Sequence, residues 1–164
     1  MRLGLLLCTL ALVVDQGTAR TDFSGTWTYV EAGSTVLESG ARAPTLGRDF
    51  TVKQDSGSLT IARRSSENQT PFETTFKFDG SETTGTQPGG SGQAATQVLS
   101  TAKWNAGILT TRSVMERVVN GSSIKGEVVR SLRLEIDGTM VIESENRVTP
   151  RPQVAKVTTV YRKK

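Results

Sequence analysis

GEVVRSLRLEIDGTMVIESENRV, residues 126–148, reads as two strands and the turn that joins them. Val128, Leu132, Leu134 and Ile136 fall on one parity, with charged residues interleaved. In a strand this period of two sends one face to a core and the other to water. Asp137-Gly138 then supplies the dipeptide that joins antiparallel neighbours by a tight turn, and TMVIESENRV (139–148) resumes the alternation. The segment is an antiparallel hairpin with one dry face.

The same grammar extends outward. RDFTVKQD (48–55) places Phe50 and Val52 together, SLTIARR (58–64) Leu59 and Ile61, and FETTFKFD (72–79) Phe72, Phe76 and Phe78; AKVTTVYRK (155–163) closes the chain. Turn signals stand between the runs: DSG at 55–57, DGS at 79–81, NAG at 105–107 and NGS at 120–122. No segment after residue 19 sustains a helical period. The reading is an all-β, antiparallel up-and-down meander of about 8–9 strands. Closing into a barrel removes the exposed edges of such a meander; a two-sheet sandwich is the competing arrangement. Two stretches break the alternation. AGSTVLESGARAPTLG (32–47) reads as a loop with one helical turn around 36–39, and GTQPGGSGQ (85–93) as a flexible Gly-rich hairpin tip. The latter lacks the Gly-Lys-Ser/Thr of a phosphate-binding loop.

The 164 residues fit one domain. Met1-Arg2, the apolar run LGLLLCTLALVV (3–14) and the small residues Gly17 and Ala19 have the form of a secretory signal peptide over 1–19, leaving a barrel domain over 20–164. The apolar run is too short to span a bilayer, which takes about 20 helical residues, so no stable membrane anchor is expected. The localisation expected is secreted or periplasmic. Cys8, the single cysteine, lies inside the leader, so the exported chain must hold together by its core alone. Histidine is absent, which removes Ser-His-Asp and Cys-His catalysis and most zinc sites. The net charge of +4 is scattered, without the dense basic stripe of a nucleic-acid protein. No nucleic acid, metal or cofactor is expected, and a monomer is.

DFSGTWTYV (22–30) carries more specific information. Phe23, Trp27 and Tyr29 share a parity, and Gly25 sits between them. A Trp there can plug the closed end of a small barrel, and a Gly lets the chain pass close to other backbone. In these residues the sequence resembles the calycin group. Lipocalins carry a Gly-x-Trp in the first strand, matched by Gly25 and Trp27. Fatty-acid-binding proteins start with a run like FSGTW (23–27) and end with one like VYRK (160–163). The layout is also similar to small secreted bacterial proteins that combine FSGTW, DG-x-E-T (79–83), AKW (102–104) and a terminal VY (160–161). The resemblance implies a lipocalin-like barrel with an interior for a small lipophilic ligand. Two departures stand out: the 32–47 loop is too short for a two-helix lid, and Thr159 stands where fatty-acid-binding proteins place an arginine two residues before the tyrosine. Arg162 is a candidate for the late arginine that packs across the lipocalin Trp, although its parity opposes that of Tyr161.

Candidate ligand-binding residues follow from parity. Arg112 shares a face with Ile108 and Val114, and Arg130 with Val128 and Leu132. Charged groups on an inward face mark a cavity or ligand, here an anionic head group; the plainer alternatives are a bulge or pairing with Glu116. Trp27, Phe76, Phe78, Trp104 and Tyr161 could line a lipophilic pocket or form ordinary core. NQT (68–70) and NGS (120–122) match glycosylation acceptors. The function expected is a secreted barrel binding a small hydrophobic or amphipathic ligand, with a non-enzymatic interaction module acting through its loops as the alternative. An enzyme would need converging carboxylates, and no spacing suggests them. An interior cavity of roughly 300 Å³ or more favours the binder.

Overall fold

The computed structural model describes residues 20–35, 45–64, 71–88, 94–119, 121–149 and 154–164. The leader expected over 1–19, the helical turn at 36–39, most of the Gly-rich tip and both Asn68 and Asn120 lie outside the described residues. Ten strands run in chain order: β1 (Gly25–Val30), β2 (Asp49–Gln54), β3 (Ser58–Arg63), β4 (Phe72–Lys77), β5 (Thr83–Gln87), β6 (Thr96–Asn105), β7 (Ile108–Val119), β8 (Ser122–Leu134), β9 (Met140–Thr149) and β10 (Val154–Lys163). They form one antiparallel sheet in the order β4-β3-β2-β1-β10-β9-β8-β7-β6-β5. The meander is therefore a single rolled sheet and not a sandwich.

The first and last strands pair, Trp27 opposite Lys163 and Tyr29 opposite Tyr161. The seam lies instead in mid-chain, between β4 and β5, which meet without a backbone ladder. The Thr83 hydroxyl bridges them by donating to the Thr75 carbonyl, with the Ser100 carbonyl also 3.2 Å away. Backbones pass closely here: a Cβ on Gly85 would sit 3.6 Å from the Glu73 carbonyl oxygen. The strand count exceeds the expected 8–9 partly because residues 83–87, the last three of which fall in the stretch 85–93 read as a flexible tip, form β5 against β6. Three threonines give this short run the β-branched character that strands favour.

Alternation places the core where the sequence puts it, except in β7, where Leu109 is buried and Ile108 is exposed. Phe23, Trp27, Leu59, Phe76, Leu109, Leu132, Met140, Ile142 and Tyr161 are buried in one cluster. At the base, Phe23 stacks on Trp104 with centroids 5.8 Å apart, and the Trp27 indole donates to the Phe23 carbonyl at 2.9 Å. Gly25 has φ of +135°, a region L side chains rarely adopt. A Cβ there would meet the Lys163 side chain, so the glycine makes room for that side chain and not for backbone. Lys163 Nζ lies 5.9 Å from the Trp27 ring centroid, in the place for which Arg162 was a candidate; register decides this, because Lys163 faces Trp27 directly. The hairpin of 126–148 forms as read, except that β8 ends at Leu134 and Ile136 is fully exposed in the turn.

Candidate functional site

A row of polar side chains crosses the upper half of the barrel interior, among apolar ones. Thr111, Arg130 and Ser144 face one another at one level of three adjacent strands, since Thr111 pairs with Arg130 across β7–β8 and Arg130 with Ser144 across β8–β9. All three are buried, with Arg130 9% exposed. Thr111 Oγ1, Arg130 Nε and Ser144 Oγ have no hydrogen-bond partner among the described residues. One level up, the Ser100 and Ser113 hydroxyls satisfy each other at 3.1 Å.

A second guanidinium joins Arg130. Arg63 ends β3 on the inward parity of Leu59 and Ile61, and its guanidinium lies 4.5 Å from the Phe72 ring centroid. Both arginines line an interior cavity of about 30 Å³, together with Leu46, Phe72, Gln87, Ser113 and others, none of them acidic. Burial and repulsion from Arg63 push Arg130 down to about 10, opposed by Tyr161. Burial also pulls Arg63 below its usual value. The carboxylates of β7–β9 stand on the outer face: Glu127 binds Arg112 at 2.6 Å, Glu143 binds Arg133 at 2.6 Å and Glu145 binds Lys156 at 2.9 Å.

A strap covers this cavity. Leu46 is 2% exposed and packs into the core from above. The Tyr161 hydroxyl accepts from Leu46 N at 3.1 Å and donates to the Gly47 carbonyl at 3.3 Å. The Thr45 and Thr159 hydroxyls pair at 3.0 Å, and Arg63 donates to the Thr45 carbonyl at 3.4 Å. Burial raises the Tyr161 phenol above its usual value, keeping it neutral and able to donate.

Comparison with known families, curated proteins and solved structures returned no match for this chain. The site therefore rests on its own geometry.

Of the candidate residues, Arg130 points inward as read, Phe76 lines the cavity, and Tyr161 is fully buried against Phe50, with centroids 4.8 Å apart. Trp27 and Trp104 belong to the packed base. Phe78 is half-buried at the β4–β5 turn, edge-on to Trp104 at 5.6 Å and covered by Arg20 at 5.0 Å, so it lines no interior space. Arg112 is corrected: it faces outward and pairs with Glu127. The inward parity of β7 is odd, carrying Leu109, Thr111, Ser113 and Met115 toward β8 and the cavity. Glu116 faces outward too and accepts from the Ser123 hydroxyl. Sequence reading missed Arg63, Thr111, Ser144 and Leu46; only Arg63 carried a clear signal, being two residues beyond Ile61 on the same face.

The arrangement presents hydrogen-bond donors in and beside a small, partly open cavity. A larger concavity of about 420 Å³ lies on the outer surface, at Phe78, Thr101, Lys103, Thr110 and Arg112.

Proposed function

We propose that this protein is an exported, non-enzymatic, calycin-like barrel that binds a small ligand at a polar row in its upper half. The observation that carries the reading is the row of buried polar side chains, Thr111, Arg130 and Ser144, in which Thr111 Oγ1, Arg130 Nε and Ser144 Oγ meet no partner among the described residues, beside an interior cavity. Buried polar atoms are almost always satisfied, and an unsatisfied set marks a place where another group completes the bonds. The Gly25–Trp27 pair at the base and the single rolled sheet support the calycin-like part of the reading.

The cavity revises the expected ligand. About 30 Å³ holds a water-sized group or two, an order of magnitude below the roughly 300 Å³ of an ordinary ligand pocket. A lipid does not fit as the barrel stands. Either the ligand is small, or its apolar part enters by displacing Leu46 and the strap. The well-filled lower half favours the second reading, an interaction module.

Native mass spectrometry of protein purified from its own source separates the two. The binder reading expects a bound mass of small-molecule size that Arg130→Met abolishes. Repeated empty preparations, with no thermal shift from any of a panel of small acids, amides and alcohols, would leave the module.

A further inference from the structure

Resting on the interior-binding reading, we infer that the group recognised beside Arg130 is an anion, of the carboxylate class, held by Arg130 with the Thr111 and Ser144 hydroxyls and faced by Arg63. The chemistry of the lining selects charge as well as hydrogen bonding. Two guanidinium groups face one cavity, and among the described residues no carboxylate lines it. Glu127, Glu143 and Glu145, the acids nearest in sequence and register, are engaged on the outer face of the sheet. Arg130 Nε finds no acceptor. A neutral ligand would complete the hydrogen bonds but leave the buried Arg130 charge opposed by the half-buried Arg63. A carboxylate does both, because its oxygens accept only, and they suit a guanidinium flanked by hydroxyl donors. The row is fixed by ladder register on three paired strands, so the donors are positioned before the ligand arrives. Arg63 couples the site to the strap through the Thr45 carbonyl; an anion that draws Arg63 inward weakens that latch and makes room for a tail.

The test uses ¹⁵N-labelled protein in low-salt zwitterionic buffer, following the Arg130 Nε–H resonance during titration with formate and, separately, with its neutral isostere formamide. The inference expects a saturable formate shift at Arg130 Nε–H and at the Thr111 and Ser144 amides, with formamide binding about ten-fold more weakly, the gap between charge-assisted and neutral hydrogen bonds. Arg130→Met should abolish the formate response, and Arg112→Met should retain it. Should Arg130→Met fail to fold, Thr111→Val with Ser144→Ala must weaken formate several-fold in its place. An octanoate arm identifies the source: saturation at the same amides with higher affinity than formate indicates the head of an amphiphile, and formate alone a free small acid. Formamide binding as well as formate overturns the anion while sparing the interior site. No saturable shift at Arg130 from either probe overturns both.

Discussion

Arg130 is a cation held from water by Val128, Leu132 and the sheet around them, with a second cation nearby. Such a charge is a cost to folding unless something pairs with it. In anion-poor buffer, Arg130→Met should therefore raise stability at neutral pH, by up to about 3 kcal/mol, read by urea denaturation. The pH dependence has a definite sign. Folded Arg130 loses its proton near 10, while the unfolded chain keeps it into the usual guanidinium range. Between those values the unfolded state binds more protons, so this group's penalty is full below pH 10 and fades above it. The advantage of Arg130→Met should shrink accordingly. Tyr161 acts oppositely, its raised pKa withdrawing stability as pH climbs; the Arg130 charge holds that rise down, so Arg130→Met raises the phenol further and the advantage shrinks in the same direction. Arg112→Ala, which breaks a pair half open to solvent, should change stability by less than about 1 kcal/mol. The two arginines also show what was legible. Arg130 sits between Val128 and Leu132 on an unambiguous parity. Arg112 lies in a strand with apolar residues on both parities, and the inward ones beside it are Thr111 and Ser113, small hydroxyl residues that resemble a wet face.

At the scale of elements, the strap over Thr45–Gly47 is the part that decides access. Tyr161→Phe removes both bonds that the hydroxyl makes to it and should cost about 1–2 kcal/mol. Leu46→Ala should cost about 2–3 kcal/mol by leaving a cavity and should enlarge the space above Arg63. Thermal denaturation reads the first effect, and a crystal structure of Leu46→Ala the second. If Leu46→Ala is neutral, the strap does not seal the mouth. Nothing in a loop-like sequence announces that one leucine turns inward, because no period of two or 3.6 surrounds it. β5 escaped for a related reason: Gly85 and the Gly-rich residues after it mask three threonines. The 126–148 hairpin was readable because alternation and turn chemistry agree there.

Across the whole molecule, the closure of the cylinder was readable from the number of hairpins and the need to pair the outer edges. The position of the seam was not. It depends on β4 and β5 meeting through a side-chain hydroxyl, the Thr75 carbonyl accepting from Thr83 in place of a ladder amide. The long strands β7 to β9 are laddered on both sides, whereas β4 and β5 each have one paired neighbour. Hydrogen exchange should follow this: amides of β4 and β5 exchange fastest among the strands and those of β8 and β9 slowest. Uniform protection would indicate a backbone ladder across the seam. The central claim is that the rolled sheet carries Arg130 inward into a polar row with no counter-ion among the described residues. A crystal structure grown from bromide tests it most directly through the anomalous signal. The account predicts bromide within hydrogen-bond reach of Arg130 Nε, between Thr111 and Ser144. Arg130 directed into solvent, or covered by a carboxylate of the same chain, would contradict it.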